Sequence, residues 1–238
     1  MEWLSDIFTT QFLFALASIV VIDMVLAGDN AIVIALAARN LPPRLQTRAI
    51  VWGTVGAVIV RTLMTLTVVW LLKIPGLMLV GGLALLWIAF KLLTAGDEDH
   101  GAHGSDMSFM AAIKTIVIAD AVMGIDNVLA VAGAAHGSFL LVVLGLIISV
   151  PIMVWGSTLV LRLMRRFGFI IYVGAGILVV TAVKMVTGEP LVSAWFDAHA
   201  WVVWALYAVG LAAVLGGGYL VVSRRPASGG PLSAERPD

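Results

Sequence analysis

The chain has 238 residues, 61% of them hydrophobic and only 12% charged, with a mean hydropathy of +1.08. Soluble domains carry about twice that share of charge, so the composition excludes an ordinary soluble domain and describes a polytopic membrane protein. Fourteen basic and 14 acidic residues cancel formally, and cysteine is absent; bulk charge therefore draws no nucleic acid, and disulfides and thiolate metal sites are ruled out.

The N-terminus, Met1-Glu2-Trp3-Leu4-Ser5-Asp6, is acidic and lacks the basic region and small-residue cleavage site of a signal peptide, so the first apolar run reads as a retained span. Runs of about 20 apolar residues, enough to cross a hydrocarbon core of about 30 Å, predict an all-α fold of seven transmembrane helices. They fall at 12–36, 49–72, 76–94, 109–135, 138–161, 168–187 and 199–223. Arg39, Arg44 and Arg48 follow the first run; Lys91 and Lys114 flank the loop after the third. Arg162, Arg165 and Arg166 follow the fifth, and Arg224 and Arg225 the last, while Lys73 and Lys184 stand on the other side. By the positive-inside rule the N-terminus is outside and the C-terminus cytoplasmic, as in a multi-pass membrane protein. Pro151 lies within the fifth helix, where it can bend the chain but reads chiefly as a packing residue. The acidic, Gly- and His-containing stretch 96–106 reads as a solvated cytoplasmic linker, although its carboxylates and imidazoles can gather cations. His199, Trp195, Trp201 and Trp204 fit a membrane interface, and 224–238 reads as a disordered tail.

A repeat runs through these elements. Asp23-Met24-Val25-Leu26-Ala27-Gly28-Asp29-Asn30 returns 97 positions later as Asp120-Ala121-Val122-Met123-Gly124-Ile125-Asp126-Asn127. Lys73-Ile74-Pro75-Gly76 through Gly81-Gly82 to Lys91 returns 93 positions later as Arg166-Phe167-Gly168-Phe169 through Gly174-Ala175 to Lys184. Three spans per unit is an odd number, so the second unit enters from the opposite side: two inverted three-helix repeats plus one extra C-terminal helix. The expected organisation is 1–95 for the first repeat and 96–108 for the linker. The second repeat occupies 109–188, the seventh helix with its external approach 189–223, and the tail 224–238.

Each motif sets two carboxylates and a carboxamide inside a membrane span. Ionised groups at that depth cost roughly 2.5–3.5 kcal/mol each, so four of them imply a task that offsets the penalty. Polar groups that merely join helices are the plainer alternative, but Ser, Thr or Asn do that at lower cost. On a regular helix Asp23 and Asn30 share a face while Asp29 turns away by roughly 120°. Convergence therefore calls for a helix break, which Gly28 and Gly124 permit. Asp23, Asp29, Asn30, Asp120, Asp126 and Asn127 can then place six side-chain oxygens around one axis. Such a set suits a hard dication, Mn, Mg or Ca, over Zn or Cu, and calls for no organic cofactor. Met24 and Met123 are further candidate ligands, with core filling as their simpler role. Four carboxylates exceed the charge of one dication, so protons are a natural exchanged ion. Arg61, in the second span, is expected to pair with one of the acids, as a fixed counter-ion or as a tethered cation that takes the site when metal leaves; Met153 stands near the aligned place.

With Ala38-Arg39-Asn40-Leu41-Pro42 after the first motif, the chain resembles the TerC family of membrane proteins, in its YjbE/YkoY branch, over about residues 10–187. That resemblance implies a bacterial inner-membrane protein akin to the LysE-type exporters, with a name linked to tellurium resistance and a function in manganese efflux. It also carries the family's acidic positions onto Asp23, Asp29, Asn30, Asp120, Asp126 and Asn127. The expected function is secondary export of a hard divalent cation by alternating access, driven by a gradient, since no Walker A sequence is present. A metal-dependent intramembrane enzyme, or a protein delivering metal to secreted proteins, is the alternative; a duplicated site argues against catalysis. The expected partners are the lipid bilayer, the cation and protons, and a homo-oligomer is compatible with all of this.

Overall fold

The structure, a computed structural model, describes residues 9–26, 28–71, 74–95, 105–135 and 138–224. The expected linker, apart from its last four residues, and the expected tail, apart from Arg224, lie outside the described residues. Helices and their connections account for all of these, with no strand among them. In chain order they are α1 (Thr10–Leu26), α2 (Gly28–Ala38), α3 (Pro43–Leu66), α4 (Val68–Leu71), α5 (Leu77–Thr94), α6 (Ser105–Ala134), α7 (Phe139–Arg166), α8 (Phe169–Gly188), α9 (Ser193–Ala198), α10 (Ala200–Leu211) and α11 (Gly217–Ser223). A π-helical turn, Ala212–Gly216, joins the last two.

Among the described residues five stretches are long and apolar enough to cross a membrane: α3, α5, α7, α8 and Ala200–Ser223. A sixth appears if α1 and α2, bent by 49° between Met24 and Gly28, form one broken span. The α6 helix has 30 residues, a length of about 45 Å at 1.5 Å per residue. Two boundaries differ from expectation. The α3 helix starts at 43 and not at 49, because Pro43 is a favourable first helical residue and Arg44 and Arg48 ride its exposed face. The α7 helix runs unbroken from Phe139 to Arg166 with Pro151 inside it.

The helices pair along their lengths: α3 on α6, α1 and α2 on α7, α5 on α8, with α3 also against α7. Small residues let the backbones approach. A Cβ placed on Gly53 of α3 would lie 2.6 Å from Ile116 Cδ1 of α6, and one on Gly145 of α7 would lie 2.4 Å from Ile19 Cγ2 of α1. A Cβ on Gly82 would meet the Ala182 carbonyl oxygen at 2.7 Å, bringing α5 against α8.

Polar contacts tie each end. Arg39 Nη2 and Asn40 Nδ2 donate to the Ala95 carbonyl at 2.8 and 3.1 Å. Gln46 Nε2 donates to the carbonyls of Arg39 and Leu41, both at 2.9 Å, and Arg165 Nη1 donates to Gln46 Oε1 at 3.2 Å. The segments after α2, after α5 and at the end of α7 therefore meet at one end. At the other, buried Glu189 accepts from the backbone N–H groups of Gly76 and Met78 at 3.0 Å each, holding the start of α5. Gly76 stands there at φ 79°, in the left-handed region where a side chain would be strained.

Candidate cation site at the centre of the bundle

Arg61 lies on α3, only 1% exposed, and its guanidinium reaches both acidic motifs. Nη1 donates to Asp23 Oδ1 of α1 at 2.5 Å, and Nη2 donates to Asp120 Oδ1 of α6. The expectation that Arg61 pairs with one acid is thus exceeded: it bridges one acid from each motif. One monocation shared by two carboxylates leaves a formal charge of −1. Asp23 Oδ2, Asp120 Oδ2 and Arg61 Nε are all buried with no hydrogen-bond partner among the described residues. A buried anionic oxygen without a partner carries a desolvation cost, so these two atoms are the places where a cation would be stabilised most.

The other donors divide. Asp29 sits in the first turn of α2, where the N-terminal end of the helix dipole favours an anion. Its Oδ1 accepts from the Asn30 N–H at 3.0 Å, and its Oδ2 accepts from the Thr181 hydroxyl of α8 at 3.3 Å. Asn30 is buried, and neither polar atom of its carboxamide has a partner among the described residues. Asn127 is also buried. The Asp126 side chain lies outside the described residues. Among the described residues no three acidic or histidine side chains converge at metal-binding distance: Asp23 and Asp120 are held by Arg61, and Asp29 by Thr181.

The two glycines behave differently. The bend falls just before Gly28, where a Cβ would have nothing within 4 Å. At Gly124 the expected break is not seen, because α6 continues through it. A Cβ there would lie 3.9 Å from Arg61 Nε, so Gly124 serves as a small neighbour to the guanidinium. The methionines also part company: Met123 is buried in the core, whereas Met24 is 46% exposed. Met24 lines a cavity of about 140 Å³ with Gly28, Ala31, Ser149, Ile152, Met153 and Gly156, room for several water molecules beside the bend.

Two polar residues at span depth carry no signal in the motifs. Thr181 is a hydroxyl in the apolar α8 that reaches Asp29. Thr54 is fully buried, its hydroxyl without a partner among the described residues, seven positions before Arg61 and so on the same face of α3. A search for polar residues at apolar-span depth, taken outside the acidic motifs, would have reached both.

The helical bundle with an ionisable centre defines an integral, multi-pass membrane protein. The chain belongs to the integral membrane protein TerC family, whose family model matches residues 8–225, so the membership inferred from the two motifs holds. It is 43% identical over 189 residues to the uncharacterized membrane protein YjbE of Bacillus subtilis (strain 168), covering 79% of this chain and 86% of that protein. UPF0053 protein YegH of Escherichia coli (strain K12) is 27% identical over 176 residues, 66% of this chain but only 33% of YegH. UPF0053 inner membrane protein YgdQ of the same organism is 24% identical over 160 residues, 60% of this chain and 67% of that protein. No solved structure is significantly similar.

Proposed function

We propose that the chain is a secondary transporter that exports a hard divalent cation, manganese foremost, through a carboxylate site in mid-membrane. The observation that carries this reading is the meeting of Asp23 and Asp120, one from each motif copy, each with a buried oxygen that no described residue satisfies. Oxygen donors suit a hard dication. Met123, one turn along α6 from Asp120, offers the softer contact that would favour manganese over magnesium or calcium. YgdQ carries the words inner membrane in its name, which supports the same location here, with the basic, Arg39-to-Arg165 end of the bundle facing the cytoplasm.

In this reading α6 counts as the fourth of seven spans, and the first six form two inverted units. The packing supports it. Exchange of the units carries α3 on α6 into α7 on α1, and returns α5 on α8 to itself. The close approaches correspond as well: Ile116 to Ile19 is a shift of 97, the offset of the acidic motifs, and Gly53 to Gly145 a shift of 92, one short of the 93 of the third spans. Equivalent halves around one site are what alternating access requires, and protons are the natural counter-ion.

Flux into proteoliposomes, comparing Mn, Mg, Ca and Zn, tests the proposal. Manganese flux in the wild type that is lost in Asp120→Asn and in Asp126→Asn is expected. Undiminished flux in both variants would remove the site, and absence of flux for every ion would favour an enzyme or a metal-delivery role.

A further inference from the structure

We infer that Arg61 and the transported dication are alternative occupants of the Asp23/Asp120 pair, so that cargo enters only as the guanidinium withdraws. The inference rests on the transport reading and names what regulates that site.

The geometry of the bridge is the first ground. Arg61 does not fork onto a single acid, which would be its strongest fixed ion pair. It spends one nitrogen on each of two acids, which come from different motifs on different helices, and leaves Nε and both Oδ2 atoms without partners among the described residues. Charge is the second ground. Two carboxylates and one guanidinium sum to −1, whereas two carboxylates and one dication sum to zero. Keeping both cations would put +1 in a buried space, with the dication and the guanidinium repelling each other at close range. The acids therefore have two ways to be neutralised, and the two compete.

Asymmetry is the third. The acids are duplicated but the arginine is not. The shift of 92 that carries Gly53 to Gly145 carries Arg61 to Met153, a buried apolar residue. A structural counter-ion supplied to each acid would recur with it; a single arginine shared between them treats the pair as one site. Gly124 presents no side chain to the guanidinium, so at that position α6 sets only backbone beside Nε. Because Arg61 links α3 to both α1 and α6, its withdrawal releases α3 from the acids while the dication takes over the bridge between the two motif helices. Cargo binding would thereby exchange one set of ties between helices for another, which is how occupancy becomes movement.

Equilibrium binding of Mn(II) to the purified full chain in phosphatidylglycerol/phosphatidylethanolamine nanodiscs, read from loss of the free-ion paramagnetic resonance signal, tests this. If Arg61 holds the pair in about nine molecules of ten, Arg61→Gln should bind about tenfold more tightly than wild type, because the competing occupant is gone. Arg61→Lys, which keeps the competing charge, should stay near wild type. Binding by a folded Arg61→Gln that is unchanged or weaker overturns the inference and leaves the transport reading standing. Absence of binding in wild type and both variants overturns the two together. Where Arg61→Gln does not fold, arginine-isotope-edited infrared difference spectra of the wild type decide. Mn(II) should shift a guanidinium band that is missing from Arg61→Lys, and an unshifted spectrum overturns the inference.

Discussion

Gly145→Ala probes whether the crossing of α1 and α7 is as close as the backbone implies. The new Cβ would lie 2.4 Å from Ile19 Cγ2 and 3.2 Å from Ile19 Cβ, well inside the ~3.5–4.0 Å optimum for carbon contacts. Ile19 is fully buried, and a β-branched residue in a helix has one strongly preferred χ1, so it cannot turn aside. The helices must part instead, at a cost of about 1–3 kcal/mol for overpacking. Gly53→Ala meets Ile116 at 2.6 and 2.9 Å and should cost a similar amount, while Gly28→Ala meets nothing within 4 Å and should cost nothing by clash. In an Ile19→Ala background the change at 145 should cost much less, since the 2.4 Å clash with Cγ2 is gone and only the 3.2 Å contact with the Cβ of residue 19 remains. The assay is thermal unfolding of the full chain in detergent, followed by the fraction that stays monodisperse. A Gly145→Ala protein as stable as Gly28→Ala, or equally costly in both backgrounds, would refute the reasoning.

Glu189→Ala strands the N–H groups of Gly76 and Met78 and should lower stability by about 3 kcal/mol, with Glu189→Gln falling between, as read by the same unfolding assay. Thr181→Val removes a hydroxyl donor from Asp29; on the proposed transport reading, a loss of about 1 kcal/mol should raise the apparent KM for manganese flux roughly fivefold without changing the amount of folded protein. Gln46→Leu cuts the contacts from Gln46 to Arg39, Leu41 and Arg165. Hydrogen exchange at residues 39–46 should then accelerate about tenfold or more, for a local loss of about 1.5 kcal/mol or more.

The central pair was legible in the sequence because its cost is so high: Asp23 and Asp120 stand in apolar runs at a fixed spacing, and only convergence makes sense of them. Arg61 could be placed against them by the same logic, but its bridging of both could not, since nothing in a linear pattern says how many partners a guanidinium takes. Gly124 misled because glycine permits a break without demanding one; the intact α6 hydrogen-bond ladder prevails there. Thr181 and Glu189 escaped notice for the opposite reason. Each is a single polar residue without spacing, and its role depends on a partner 152 or 113 positions away. The start of α3 was placed late because Arg44, Gln46 and Arg48 look like loop; a helix that projects beyond the apolar layer carries such residues on its first turns.

The last helix has consequences for how the bundle can deform. Among α10, the π-helical turn and α11, only Val214 and Gly218 are buried. Gly218 comes so near α5 that a Cβ would sit 2.4 Å from Leu93 Cδ2, and Gly210 faces Val179 of α8 at 3.0 Å. This helix therefore lies like a strap across α5 and α8, and among the described residues it has no counterpart beside α1 and α7. Rocking of the bundle should be stiff along the strapped seam and compliant on the far side, so that the strap marks the hinge line and the broken α1–α2 helix the edge that swings.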